Sequence, residues 1–222
     1  MTGTILLDLD GTLIDPQIGI LDSYRHALRK MNAEPDPADN LHWVIGPPLR
    51  RSFAKLLGEG GNVEEAVRQY RDRYADTGIF QATVYPGISD AIVELRSAGF
   101  DLLLCTAKAR VFADRIVEKF GFAEHLSGVY GAELDGRFDD KGDLIAHILE
   151  TRGLTSADIC MVGDRDNDVL AAARNGAPCI GVLWGYGGEH ELRSAGAADL
   201  IEAPEHLRAA CERVGQARPA QV

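Results

Sequence analysis

The sequence predicts an α/β protein, a mostly parallel sheet with helices on both faces and a small helical module inserted after the first strand. Three observations predict it. The runs Ile5-Leu6-Leu7, Leu102-Leu103-Leu104-Cys105 and Ile159-Cys160-Met161-Val162 are apolar without alternation, as strands buried on both faces of a parallel sheet are. Helical periodicities alternate with these runs, the pattern of βα units. From Ile18 to about Val84 the spacing is helical throughout, with no strand-like run.

In chain order, the first strand ends in Asp8-Leu9-Asp10-Gly11-Thr12-Leu13, and Asp15-Pro16 breaks the chain. Leu21, Tyr24, Leu28 and Met31 then give one helix face. Asn32 to Asn40 reads as a loop. A short helix after Gly46-Pro47-Pro48 shows Leu49, Phe53, Leu56 and Leu57, and a longer one shows Val63, Val67, Tyr70 and Tyr74. Tyr85-Pro86-Gly87 is a second break. A helix through Ile88, Ala91, Ile92 and Leu95 ends at Gly99, and the strand after it ends at Thr106. Phe112, Ile116 and Phe120 face the next helix. Gly128–Ala132 is a short strand, and a helix from near Asp140 ends at Gly153. The strand after that ends at Gly163-Asp164. A helix ending at Gly176, a strand over Pro178–Leu183, a Gly185–Gly188 loop, a short helix and a weak strand near Leu200 complete the core. The tail from Ala217 is expected to fray. There are no internal repeats.

The 222 residues suffice for one substantial core, or one core plus a smaller module. A formal net charge of −11 argues against non-specific nucleic-acid binding and against an anionic membrane surface. It leaves a small anionic substrate open, because a bound cation reverses the local field. No run approaches the ~20 apolar residues of a membrane span. No basic-then-apolar leader is present, so a cytoplasmic location is expected. Cys105, Cys160, Cys179 and Cys211 form no CxxC pair and read as buried small hydrophobes. The histidines show no metal-ligand spacing.

The chemistry lies where strands stop. In an open parallel sheet the carboxyl ends of the strands line one edge, where ligands bind. Asp8 and Asp10, Thr106 and Asp164 all stand at such ends, and Lys141 at a helix start can reach the same edge. A buried strand gains nothing by ending in two carboxylates unless a cation and a reacting group neutralise them.

Asp8-Leu9-Asp10-Gly11-Thr12-Leu13, Thr106, Lys141 and Gly163-Asp164 through Asp168, in that order, resemble the four motifs of the haloacid dehalogenase-like hydrolase superfamily. The helical insertion resembles the cap of its phosphoglycolate phosphatase-like branch. The segment Ala132-Glu133-Leu134-Asp135-Gly136-Arg137 resembles one in 5′-nucleotidase-like members. The resemblance covers the whole chain. It implies a Rossmann-like core over residues 1–14 and 86–222, with a cap over residues 15–85.

The resemblance also implies roles. Asp8 is the nucleophile that forms an aspartyl-phosphate, and Asp10 the general acid/base. The Asp8 carboxylate, the Asp10 carbonyl and Asp164 hold Mg²⁺, an ion suited to a few protein oxygens and several waters. Thr106, the backbone at Ala107, and Lys141 bind the transferring phosphoryl group. Asp168 supports the metal shell or orients Lys141. Ala107 departs from the Asn or Ser of many relatives. The acid at position 10 favours phosphate esters over dehalogenase or phosphonatase chemistry.

Thr106 is also placed to cap the next helix. Lys108 could approach the phosphate, against the favoured reading of an exposed helix start, and Asp166 is expected at the periphery. Arg50 is the cap's candidate for a substrate anion, against a surface ion pair. Arg51 is a weaker one. Asp15-Pro16 and Tyr85-Pro86-Gly87 are candidate hinges. The expected activity is Mg²⁺-dependent hydrolysis of a small phosphorylated metabolite, such as a nucleoside 5′-monophosphate or 2-phosphoglycolate, by a monomer or homodimer. A sugar phosphomutase of the β-phosphoglucomutase type, or an inactive regulatory protein, are the alternatives.

Overall fold

The computed structural model describes residues 3–33, 35–36 and 39–216. The chain begins with β1 (Thr4–Leu7), β2 (Ile14–Asp15), α1 (Gln17–Lys30), α2 (Leu49–Leu57), α3 (Val63–Asp76) and β3 (Thr83–Val84). There follow α4 (Ile88–Ser97), β4 (Asp101–Ala109), α5 (Arg110–Lys119), β5 (Gly128–Ala132), α6 (Lys141–Arg152) and β6 (Ile159–Gly163). The chain closes with α7 (Asp166–Arg174), β7 (Cys179–Val182), α8 (Glu189–Ala195), β8 (Asp199–Ile201) and α9 (Leu207–Gln216).

Six strands form one parallel sheet in the order β5-β4-β1-β6-β7-β8. The order reverses at β1, because the chain builds outward on one side of it and returns to build on the other. That reversal opens the crevice in which doubly wound sheets bind ligands. Register then decides what the crevice contains. Leu7 pairs with Leu104 on one side and Val162 on the other. Asp8, Thr106 and Asp164 therefore emerge within two residues of those pairs, at one edge.

The absence of alternation in the strands has a direct cause. Ile5, Leu7, Leu102, Leu104, Cys160 and Val162 fill a core on one face, which α4, α5 and α9 cover. Leu6, Leu103, Cys105, Ile159 and Met161 fill a second core, which α6 and α7 cover. The first core continues into the helical segment. There Tyr24 meets Phe53 at 4.7 Å and Tyr70 at 4.9 Å between ring centroids, and Tyr70 stacks on Tyr74 at 5.4 Å. Such pairs add to the burial of their area.

Two local expectations change. The stretch before Val84 does hold a strand, because β2 and β3 pair antiparallel through Ile14–Val84 and Asp15–Thr83. Two-residue strands are too short to leave a periodic signature. They set the two chain breaks side by side. Second, β4 does not stop at Thr106. It runs to Ala109 with a shift of register after Thr106, and Ala109 pairs with Ala132. The α5 helix starts at Arg110, so Thr106 does not cap it and Lys108 does not begin it. The polar, small stretch Thr106–Ala109 reads as a break, but β5 holds it extended.

The expected fraying from Ala217 lies outside the described residues, as do Glu34, Pro37 and Ala38 of the expected loop. No helix among the described residues is long and apolar enough to cross a membrane. Phe53 is fully buried at the centre of the helical segment. Phe53→Ala is expected to lower stability by about 3–5 kcal/mol in urea unfolding.

Candidate active site

Each acidic side chain at the sheet edge is positioned by a different element. Asp8 follows β1 directly, and its N–H donates to Val162 O at 2.9 Å. Asp164 follows β6. Its Oδ2 accepts from the Tyr186 N–H at 2.8 Å and its Oδ1 from the Thr12 hydroxyl at 3.4 Å. Asp168 lies in the first turn of α7, where one oxygen accepts from the Arg165 N–H at 3.1 Å. Lys141 is the first residue of α6. Asp140 caps that helix by accepting from the N–H groups of Gly142 at 2.7 Å and Asp143 at 3.2 Å. The cap fixes the direction in which Lys141 leaves the backbone.

Lys141 joins the elements together. Its Nζ lies 3.0 Å from Asp8 Oδ1 and donates to Asp168 Oδ1. Asp8, Asp164 and Asp168 each offer a carboxylate oxygen within 4.8 Å of the others. Glycines make room for this crowding. Gly11 has φ of +82°, and a Cβ there would come within 2.2 Å of the Asp164 carboxylate. A Cβ at Gly163 would come within 2.3 Å of Asp168.

Asp10 has its own cation. Lys108 Nζ lies 2.8 Å from Asp10 Oδ2 and donates to the Tyr74 hydroxyl oxygen at 2.6 Å. The ammonium also sits 4.4 Å from the centre of the Tyr74 ring. Lys108 is thus buried and bridges the sheet edge to α3, not exposed as the sequence suggested. Ala107 lines a chamber beside Asp10, together with Tyr24, Tyr70, Arg71 and Tyr74. Thr106 is buried at the same edge and accepts from the Lys108 N–H at 3.3 Å.

Arg50 is placed elsewhere. Its guanidinium donates to Glu64 at 2.7 and 3.1 Å, to Asp139 at 3.0 Å and to Leu134 O at 3.2 Å. It does not line the chamber. It ties α2 to α3 and to the segment after β5, so the ion-pair reading of Arg50 is the one its contacts carry.

The charges do not balance. Asp8, Asp10, Asp164 and Asp168 are buried carboxylates, and Lys141 and Lys108 are the buried ammoniums that meet them. Two negative charges are left over. Asp10 Oδ1 is buried with no hydrogen-bond donor, and Asp8 Oδ1 is met by the Lys141 ammonium. Burial pushes the Asp164 carboxyl well above the ordinary range, and the nearby charges of Asp168 and Asp8 push it further. Burial also raises Asp10, against the pull of Lys108. Burial disfavours the charge on Lys141, but Asp168 and Asp8 outweigh it and hold the ammonium protonated. A compact set of carboxylate oxygens with two charges unmatched fits a divalent, oxygen-seeking cation.

Residues 5–182 match the haloacid dehalogenase-like hydrolase family. The chain belongs to that family. It is 41% identical over 191 residues to a 5′-nucleotidase of Pseudomonas aeruginosa, covering 86% of each chain. It is 37% identical over 183 residues to the tyrosine-protein kinase PtkA of Mycobacterium tuberculosis, covering 82% of this chain and 62% of that one. The crystal structure of a predicted phosphatase from Clostridium acetobutylicum superposes with a TM-score of 0.91 at 33% identity, covering 96% of this chain and all of that one. The family reading from the sequence motifs therefore stands, and the chain is a phosphatase-type hydrolase of this family.

For this haloacid dehalogenase-like hydrolase, the sequence pointed to Asp8, Asp10, Lys141, Asp164 and Asp168 as one group, and the fold brings them together. It preferred the exposed-helix reading of Lys108 to an approach to the phosphate, and it missed Tyr74. Tyr74 had a signal, its place in the α3 stripe, but that stripe reads equally as packing. The raised carboxyls give a stability signature. In chelator, the folded protein takes up protons at Asp164 and Asp10 above the unfolded pKa of ~3.9, so its stability is expected to rise as pH falls from neutral toward that value. Urea unfolding across that window should show a smaller rise for Asp164→Asn. An equal rise would contradict the assignment.

Proposed function

We propose that the chain hydrolyses small phosphomonoesters in two steps, with Asp8 as nucleophile and Mg²⁺ as cofactor. The observation that supports this reading is the surplus of buried carboxyl groups over ammoniums at the sheet edge, four against two, with Asp10 Oδ1 left without a donor. The Asp8 carboxylate, the Asp10 carbonyl and Asp164 would hold the ion, which supplies neutralising charge as two anions approach.

The remaining work falls to the chain. Asp8 Oδ attacks phosphorus and forms an aspartyl-phosphate as the ester P–O bond breaks. Asp10, whose carboxyl is raised by burial, gives its proton to the leaving oxygen. It then takes a proton from the water that attacks the aspartyl-phosphate. Lys141 and the Thr106 hydroxyl bind the non-transferring oxygens, with the backbone N–H groups around Ala107. Asp168 holds Lys141 in place. Candidate substrates are nucleoside 5′-monophosphates and 2-phosphoglycolate.

The segment 15–85 acts in this reading as a cap over a core of residues 1–14 and 86–222. The paired β2 and β3 form its hinge. A closed cap excludes water while the leaving group departs.

The test is phosphate release from a panel of phosphorylated metabolites with Mg²⁺ and with EDTA. Release is expected only with Mg²⁺, and Asp8→Asn is expected to lower it by about a thousandfold or more. Conversion of a sugar phosphate to its isomer without phosphate release would replace hydrolysis by the mutase reaction. No turnover of any ester by the folded protein would overturn the reading.

A further inference from the structure

The two carboxyl oxygens of Asp10 have different surroundings. Oδ2 lies 2.8 Å from the Lys108 ammonium. Oδ1 is buried and has no hydrogen-bond donor. Among the described residues no other side chain bonds to this carboxyl. Lys141, the other buried ammonium of the edge, stands 3.0 Å from Asp8. The two-step reaction described above gives Lys141 a task and Lys108 none.

The backbone aims Lys108. After Thr106 the ladder between β4 and β5 shifts register, and pairing resumes at Ala109 with Ala132. Ala107 and Lys108 lie in that irregular stretch, and irregularities of this kind redirect a side chain. Inside it the Thr106 hydroxyl accepts from the Lys108 N–H at 3.3 Å. The strands approach closely here: a Cβ at Gly131 would stand 2.6 Å from the Lys108 carbonyl oxygen. At the far end of the side chain, Nζ donates to the Tyr74 hydroxyl oxygen at 2.6 Å and sits 4.4 Å from the centre of its ring. The side chain is 6% exposed. Backbone, ring and hydroxyl together hold the ammonium against Oδ2.

General acid catalysis needs one carboxyl oxygen within hydrogen-bond reach of the leaving oxygen. An untethered carboxyl turns about its Cβ–Cγ bond and offers either oxygen. An ion pair to one of them stops that rotation. It also decides which oxygen carries the proton, because the one that accepts from an ammonium is occupied.

We propose that Lys108 is a positioning residue for proton transfer: it clamps Asp10 through Oδ2 so that Oδ1 serves the leaving group, and Tyr74 of α3 holds the clamp in place. This rests on the phosphatase reading above. In the first step the proton on Oδ1 passes to the ester oxygen as that oxygen's bond to phosphorus breaks and the bond from Asp8 forms. The carboxylate left behind keeps its charge-assisted bond from Lys108. In the second step a water proton returns to Oδ1 as the water oxygen bonds to phosphorus and the Asp8 oxygen leaves. Lys108 keeps its protons throughout.

The test compares two phosphates that differ in whether the leaving oxygen needs a proton. One is acetyl phosphate, whose acetate leaves as a stable anion. The other is the alkyl ester of the metabolite panel that wild type hydrolyses fastest. Their kcat/KM values report the first step. In Lys108→Met the ratio of alkyl ester to acetyl phosphate is expected to fall about 10- to 100-fold from its wild-type value. Tyr74→Phe keeps the ring and removes the hydroxyl, and is expected to lower the same ratio by about threefold or more. It carries the test if Lys108→Met does not fold. An unchanged ratio in folded Lys108→Met or in Tyr74→Phe overturns the positioning role and leaves the phosphatase reading standing. Equal losses for the two phosphates do the same, and assign Lys108 to the phosphoryl group instead. Turnover of no ester by the folded wild type overturns both.

Discussion

One buried ammonium holds the site together. Lys141 reaches from the start of α6 to Asp8 at the end of β1 and to Asp168 at the start of α7. Without it, Asp8, Asp164 and Asp168 would crowd unpaired in the interior, where each uncompensated charge costs several kcal/mol. The sheet cannot relieve that crowding, because its register fixes where each strand ends. Lys141 compensates only in part. The remainder is a standing attraction for a divalent cation and for a group that brings its own charge balance.

The helical segment is fastened to this centre at several points, and each fastening involves a residue near the chemistry. Lys108 joins Asp10 to Tyr74. Arg165, next to Asp164, donates to Ile45 O ahead of α2. Tyr186 gives its N–H to Asp164 and its hydroxyl to Asp15 in β2. Movement of the segment would therefore be felt at Asp10 and Asp164.

The parallel sheet was readable because strands buried on both faces leave apolar runs, and the two cores account for each alternate residue of those runs. Asp8, Asp10 and Asp164 were readable because carboxylates that end such runs have no structural reason to be there. Lys141 was reachable only through the order of the motifs, since nothing local distinguishes a lysine that begins one helix from another. Lys108 was misread because Thr106–Ala109 is extended only through pairing with β5, a non-local cause. Arg50 shows the limit most clearly. It stands on an inserted helix, and Glu64 with Asp139 decides what it binds. That is a property of three-dimensional neighbours, which no spacing along α2 or α3 encodes.

The central claim is that Asp8 carries the phosphoryl group. Single-turnover reaction with a ³²P-labelled ester and Mg²⁺, quenched in acid within milliseconds and digested, tests it most directly. The account predicts label on the peptide that contains Asp8, released by hydroxylamine as an acyl phosphate is, and appearing before free phosphate. Free phosphate formed at the full rate, with no protein-bound label at any time, would contradict it.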